Sequence, residues 1–80
     1  MNIKLTNDDQ NTTVIDTRQP GTFLPKIKTV LDPNLYAFDG DLYDWDAELL
    51  AEHISVGEWG LLVEDAEAMH ITVTGTPVDA

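Results

Sequence analysis

Two histidines (His53 and His70), one serine (Ser55) and fifteen carboxylates are the groups in this 80-residue chain whose types could do chemistry. Each has a spacing requirement. Zinc takes three or four protein ligands, and neither histidine belongs to an HxxxH or HExxH pattern. Both are read as structural side chains: His53 on a helix between an apolar arc and Asp46, His70 on the outer face of a strand opposite Leu62. Without cysteine there is no thiolate nucleophile, disulfide or Cys-based zinc site. Ser55 lies at an expected helix end, outside any GxSxG turn that would activate it. Acid–base work by paired carboxylates needs one member in an apolar pocket to raise its pKa, and nearly every acid here sits in polar context. The chain is therefore read as a binding protein and not an enzyme, with no cofactor and no metal.

The carboxylates concentrate in FDGDLYDWDAELLAEH, residues 38–53, which holds Asp39, Asp41, Asp44, Asp46, Glu48 and Glu52 with no Lys or Arg. A calcium loop of the EF-hand type requires oxygen ligands at positions 1, 3 and 5, Gly at 6 and Glu at 12. Counted from Asp39, position 5 is Tyr43, position 6 is Asp44 and position 12 is Leu50. Counted from Asp44, position 6 is Leu49 and position 12 is Ser55. Both frames fail, and Asp39–Gly40 is more simply a tight turn.

The charge is distributed as unevenly as it is large. The net charge is −11, and all four bases, Lys4, Arg18, Lys26 and Lys28, precede residue 29. Residues 1–28 carry a net +1, residues 29–80 a net −12 with no base at all. Such a field attracts cationic partners and speeds their encounter, and it disfavours direct binding to nucleic acid or anionic lipid. The N-terminus, MNIKLTNDDQ, lacks the basic and apolar regions of a signal peptide, and no apolar run is long enough to span a membrane. An apolar fraction of 42% argues for a folded chain. Eighty residues suit one domain, 1–80, with a thin core and a frayed tail at 76–80.

The elements that must position these acids follow from periodicity. Ile3 and Leu5 alternate with Lys4 and Thr6, NDDQ turns, and NTTVIDT returns, giving an N-terminal hairpin. FLPKIKTVL suits either a strand or a short helix with Pro25 in its first turn, and the strand is favoured. A helix is expected over 42–55, capped by Asp41, with Asp44 as a capping-box residue and Gly57 as its stop. Its apolar arc holds Ala47, Leu49, Leu50, Ala51 and Ile54, with Trp45 at the edge, while Asp44, Glu48 and Glu52 share the opposite face. EWGLLVE and AMHITVT both alternate, which predicts a C-terminal hairpin pairing Trp59 with Val73, Leu61 with Ile71 and Val63 with Met69. Glu64, Asp65 and Glu67 then occupy its tip. The expected fold is α+β: an antiparallel sheet of about four strands with one main helix, in the order β-β-(β)-α-β-β.

Asp44, Glu48 and Glu52 repel one another at i,i+4 spacing and have no interspersed base. Each step rises about 6 Å, of the order of the spacing between successive phosphates on a nucleic-acid strand. Asp44 and Asp46 lie near the helix N-terminus, where the dipole favours them; Glu52 in the last turn has no such reason. The ordinary reading of the neighbouring aromatics places Trp45, with Tyr36, in the core; the functional alternative makes Tyr43 or Trp45 an anchor at the rim of an interface.

In length, acidity, absence of Cys and the DGDLYDWDAELLAE stretch, the chain resembles the small acidic inhibitors carried by phages and mobile elements: anti-CRISPR proteins, anti-restriction proteins and uracil-DNA glycosylase inhibitors. That resemblance implies a stoichiometric inhibitor, acting in the bacterial cytoplasm, that covers a Lys/Arg-lined nucleic-acid channel. The expected partner-binding residues are Asp39, Asp41, Tyr43, Asp44, Asp46, Glu48 and Glu52, then Glu64, Asp65 and Glu67. The expected partner is the basic surface of a nucleic-acid-binding protein, met by a monomer or weak dimer. The alternatives are another acidic binder (an immunity protein, an antitoxin or a phage structural component) and a halophile's acidic domain, which would fold only in high salt.

Overall fold

The alternation at the N-terminus becomes strand β1, Asn2–Asn7, in the computed structural model, which describes residues 1–37 and 39–76. Ile3, Leu5 and Asn7 point inward, and Lys4 faces solvent. Strand β2, Thr12–Asp16, returns antiparallel with Ile3 opposite Ile15 and Leu5 opposite Thr13. Asn7 closes the turn: its Oδ1 accepts from the Asp9 and Asn11 amides, while its buried Nδ2 donates to the Val30 carbonyl at 3.0 Å. One side chain thus satisfies three backbone groups and ties the hairpin to the segment that follows.

FLPKIK is helical. It forms α1, Phe23–Lys28, with Pro25 in the first turn, where its missing N–H is not needed. Phe23 and Ile27, one turn apart, are buried together with Val30 and Leu31, an arc that a strand would have split between two faces. A 3-10 turn at Pro33–Tyr36 follows, its entry capped by Asp32 accepting from the Asn34 amide. Phe38, the end of the LYAF run, lies outside the described residues.

Helix α2, Gly40–Val56, is the expected main helix with a different start. Asp39, not Asp41, is the N-cap, accepting from the Leu42 amide at 3.1 Å, and Asp44 is not part of a capping box. Gly57 ends the helix as expected, in the left-handed conformation at φ 73°.

The C-terminal hairpin does not form. Of EWGLLVE, Glu58 is the N-cap and the rest lies in α3, Trp59–Ala68, and AMHITVT contributes only β3, Ile71–Thr74. The pairs Trp59–Val73, Leu61–Ile71 and Val63–Met69 are therefore absent, and β3 pairs antiparallel with β1, Leu5 opposite Val73 and Asn7 opposite Ile71. The reason lies in the alternative period: Leu62, Ala66 and Met69 recur at i, i+4 and i+7, and all three are buried. Leu, Glu and Ala also favour helix over strand. Glu64, Asp65 and Glu67 accordingly sit on a helix and not at a hairpin tip, and His70, expected on a strand, lies in the α3–β3 turn at φ 64°.

The class is α+β, with a sheet of three strands, order β2-β1-β3, and three helices among the described residues. Helices α1 and α3 pack on the inner face of the sheet and α2 packs against both of them, around fully buried Ile3, Leu5, Ile15, Ile27, Leu50 and Leu62. Burial of each such side chain is worth about 1.5–3 kcal/mol, offset by the ordering of the chain. Of the expected frayed tail, residues 77–80 lie outside the described residues.

Candidate functional site

Helix α2 uses one side to hold the fold together. Ala47, Leu50, His53 and Ile54 are buried, and Tyr43 and Ala51 are half-buried. The remaining arc is exposed and divides lengthwise into two strips. Asp41, Asp44, Glu48 and Glu52 form the first. Leu42, Trp45, Leu49 and Val56 form the second, within about 60° of arc at ~100° per residue.

The acids expected to meet a partner differ in what already engages them. Asp39 is occupied as the α2 cap. Asp44 meets Lys28 of α1, Nζ to Oδ1 at 3.0 Å, so the tertiary fold supplies a base that its own stretch lacks. The hydrogen bond to Asp44 holds the Lys28 ammonium above the usual lysine range. Asp46 accepts from the Tyr36 hydroxyl at 2.7 Å. Burial of Tyr36, reinforced by this carboxylate, pushes the phenol well above its ordinary range. Asp65 accepts from His53 Nε2 at 2.6 Å. Asp41, Glu48 and Glu52 are exposed and, among the described residues, make no side-chain hydrogen bond or ion pair with another side chain.

The ordinary expectation for the aromatics holds for Tyr36 and fails for Trp45. Tyr36 is buried, but Trp45 is 64% exposed. Tyr43 is drawn inward: its ring meets Tyr36 edge-on at 5.4 Å and its hydroxyl donates to the Lys28 carbonyl at 2.8 Å. Lys28 Nζ lies 6.0 Å from the Tyr43 ring centroid, so Tyr43, Asp44 and Lys28 together fasten α1 to α2. Of the two aromatic anchors considered, Trp45 is the one whose surface is available.

The second acidic cluster is divided by its helix. Asp65 faces α2 through His53, while Glu67 lines a shallow depression with Val63, Ile71, Thr72 and Val73 beside β3. Residues 65 and 67 are separated by about 200° of helical turn, so the two acids cannot belong to one surface. His53 is itself buried at 7% exposure, deeper than the surface or half-buried position expected of it. Its Nδ1 has no hydrogen-bond partner, and Glu58 Oε1 lies 3.8 Å away. Exposed His70 lies 3.1 Å from Asp8 through Nδ1, at the other end of α3.

No group of three or more His, Asp or Glu side chains among the described residues is gathered as a metal ion would require. Beside the apolar strip, an open groove of about 400 Å³ runs between α2, α3 and the 3-10 turn, with Leu35, Leu49, Ala68 and Met69 in its walls and Asp46 and Asp65 at its edges. No described helix is long and apolar enough to cross a membrane. Comparison with protein-family models, with curated proteins and with solved structures finds no match for this chain.

The feature that sequence reasoning missed is the exposed apolar strip. Its signal was present: Leu42, Trp45, Leu49 and Val56 stand at i, i+3, i+7 and i+14. Assigning Trp45 and Leu49 to the core arc hid it, because a helix with apolar residues over more than half its circumference does not announce which part the fold will bury.

Proposed function

We propose that this chain is a protein-binding inhibitor that sets the acidic strip of α2 against a Lys/Arg-rich nucleic-acid-binding surface of a host defence or DNA-processing complex in the bacterial cytoplasm. The observation that carries the reading is the row of Asp41, Glu48 and Glu52. These acids are exposed, successive members lie one or two turns apart, and none of them forms an ion pair among the described residues. Repulsion along such a row costs a few tenths of a kcal/mol per close pair, so it is not there for the stability of the helix. Basic grooves built for phosphate accept carboxylates through the same charge-assisted hydrogen bonds, and a net charge of −11 accelerates the encounter.

Asp44 belongs to the strip geometrically, but Lys28 already moderates its charge. Asp46, Asp65 and Asp39 support the reading less, because each is engaged within the fold. The test is capture from a bacterial lysate by the tagged protein and by the variant Asp41→Lys/Glu48→Lys/Glu52→Lys. The wild type is expected to recover a nucleic-acid-binding complex, duplex DNA to displace it, and the variant to lose it. Recovery of the same complex by both proteins, or a partner that DNA does not displace, would sink the reading. The exposed apolar strip favours, as a second reading, an acidic binder of the immunity-protein or antitoxin kind whose basic target does not bind nucleic acid; displacement by DNA separates the two.

A further inference from the structure

The exposed strip of α2 has the register of a coiled-coil seam. If Leu42 is taken as position a, Trp45 falls at d, Leu49 at a, Glu52 at d and Val56 at a. Asp41 and Glu48 then occupy successive g positions, the flank that selects a partner by charge. Nothing within the described fold covers this seam: Leu42 is 40% exposed, Trp45 64%, Leu49 38% and Val56 61%. The strip runs for about 21 Å along the helix, four turns, long enough to receive another helix along its length. At its middle, Leu49 continues into the groove walled by Leu35, Ala68 and Met69, with Asp46 and Asp65 at the rim, so acids lie on both sides of the apolar line.

We infer that this seam docks one amphipathic, basic α-helix of the partner protein, its apolar face on Leu42, Trp45, Leu49 and Val56 and its Lys or Arg side chains on Asp41, Glu48 and Glu52. The inference rests on the reading of α2 as the partner face and names what that face receives. Charge complementarity excludes the other occupants. A second copy would set Glu52 against Glu52 if parallel, or the g-position acids Asp41 and Glu48 against each other if antiparallel, and would join two bodies of −11 charge each. A nucleic acid could stack a base on Trp45 but would carry its phosphates past Glu48 and Glu52. A helix with Lys or Arg opposite Glu52 meets both strips at once, and the charge at that d position then selects for it, as a polar residue in a seam fixes register and partner at some cost in stability.

The test uses three synthetic probes of about 18 residues, long enough to span the strip: an amphipathic helix with Leu on one face and Lys/Arg flanking it, a scrambled peptide of the same composition, and oligolysine. Trp59→Phe leaves Trp45 as the sole indole, and circular dichroism checks that the fold is kept. Only the amphipathic peptide is expected to shift Trp45 emission to the blue, saturably. By calorimetry its affinity should fall about tenfold or more both in Leu49→Ala and in Glu48→Lys/Glu52→Lys, and part of it should survive about 0.5 M salt, at which exposed charges are screened beyond a few Å. Equal binding of all three probes would overturn the seam and leave the acidic strip standing. Loss in Leu49→Ala with no change in Glu48→Lys/Glu52→Lys would keep the seam and remove the acidic reading. Failure of the amphipathic peptide to bind, or a dimer in sedimentation equilibrium that Leu49→Ala abolishes, overturns the inference outright.

Discussion

Substituting Asp65 by Ala should destabilise this protein, although the residue stands in an acidic run on a helix surface. The His53–Asp65 hydrogen bond, 2.6 Å long, joins α2 to α3. Hydrogen bonds to charged groups contribute about 1.5–3 kcal/mol, and the lower part of that range applies because the Asp65 side chain is 36% exposed. Removing Asp65 also leaves a buried imidazole whose Nδ1 already has no partner with none at Nε2 either. The expected cost of Asp65→Ala is about 2 kcal/mol, a fall in Tm of about 8–16 °C for a domain of this size. His53→Leu removes the polar ring altogether. Replacing it by an apolar side chain also removes the unsatisfied Nδ1, so that variant should lose no more than about 1 kcal/mol. In the His53→Leu background Asp65 is free to face water, and Asp65→Ala should cost about 0.3 kcal/mol. Thermal and urea unfolding of the four proteins followed by circular dichroism gives the coupling energy, expected to be about 1.7 kcal/mol. If Asp65→Ala costs the same in both backgrounds, the pair does not join the helices, and Asp65 returns to the set of free acids.

Trp45→Ala should change stability by no more than about 0.5 kcal/mol, because the indole is largely in water, whereas Leu50→Ala, fully buried five residues later, should cost about 2–5 kcal/mol; urea midpoints compare them. Gly75→Ala should weaken the β1–β3 edge, since Gly75 has φ 85° and an added Cβ would lie 2.8 Å from the Asn2 carbonyl oxygen; amide exchange of Lys4–Asn7 should rise before the rest of the sheet. Asp16, held by the Arg18 side chain and amide, has its carboxyl lowered from 3.8 to about 2. A depressed carboxylate contributes stability above its unfolded value, and that contribution disappears as pH falls from about 4 through 2. Carbon-detected NMR titration should therefore show a midpoint near 2 that Arg18→Ala, which removes the guanidinium but keeps the residue-18 amide, raises only part of the way toward the ordinary value.

The sequence by itself determined the charge segregation, the N-terminal hairpin, the main helix with its stop at Gly57, and the α+β class. All four rest on local signals: strict alternation, a turn rich in Asn and Asp, a helical repeat ended by glycine, and a count of charges. Tertiary structure decided what local signals leave balanced. EWGLLVE alternates as a strand and also recurs as a helix; burial of Leu62, Ala66 and Met69 against the sheet selected the helix, and β3 then found β1 instead of a hairpin partner. The strand reading of FLPKIK failed in the same way: Phe23 and Ile27 would share a face in either form, but Val30 joins them in the core only on a helical repeat. The site was legible as a row of acids but not as a surface. Which acids stay free depended on Lys28, Tyr36 and His53, which lie from ten to sixteen positions away in the chain from Asp44, Asp46 and Asp65 and meet them only after folding. The apolar strip depended on how wide an arc of α2 the sheet and the two neighbouring helices could cover. A helix of period 3.6 offers more apolar surface than one thin core needs, and only packing decides which part is left facing water.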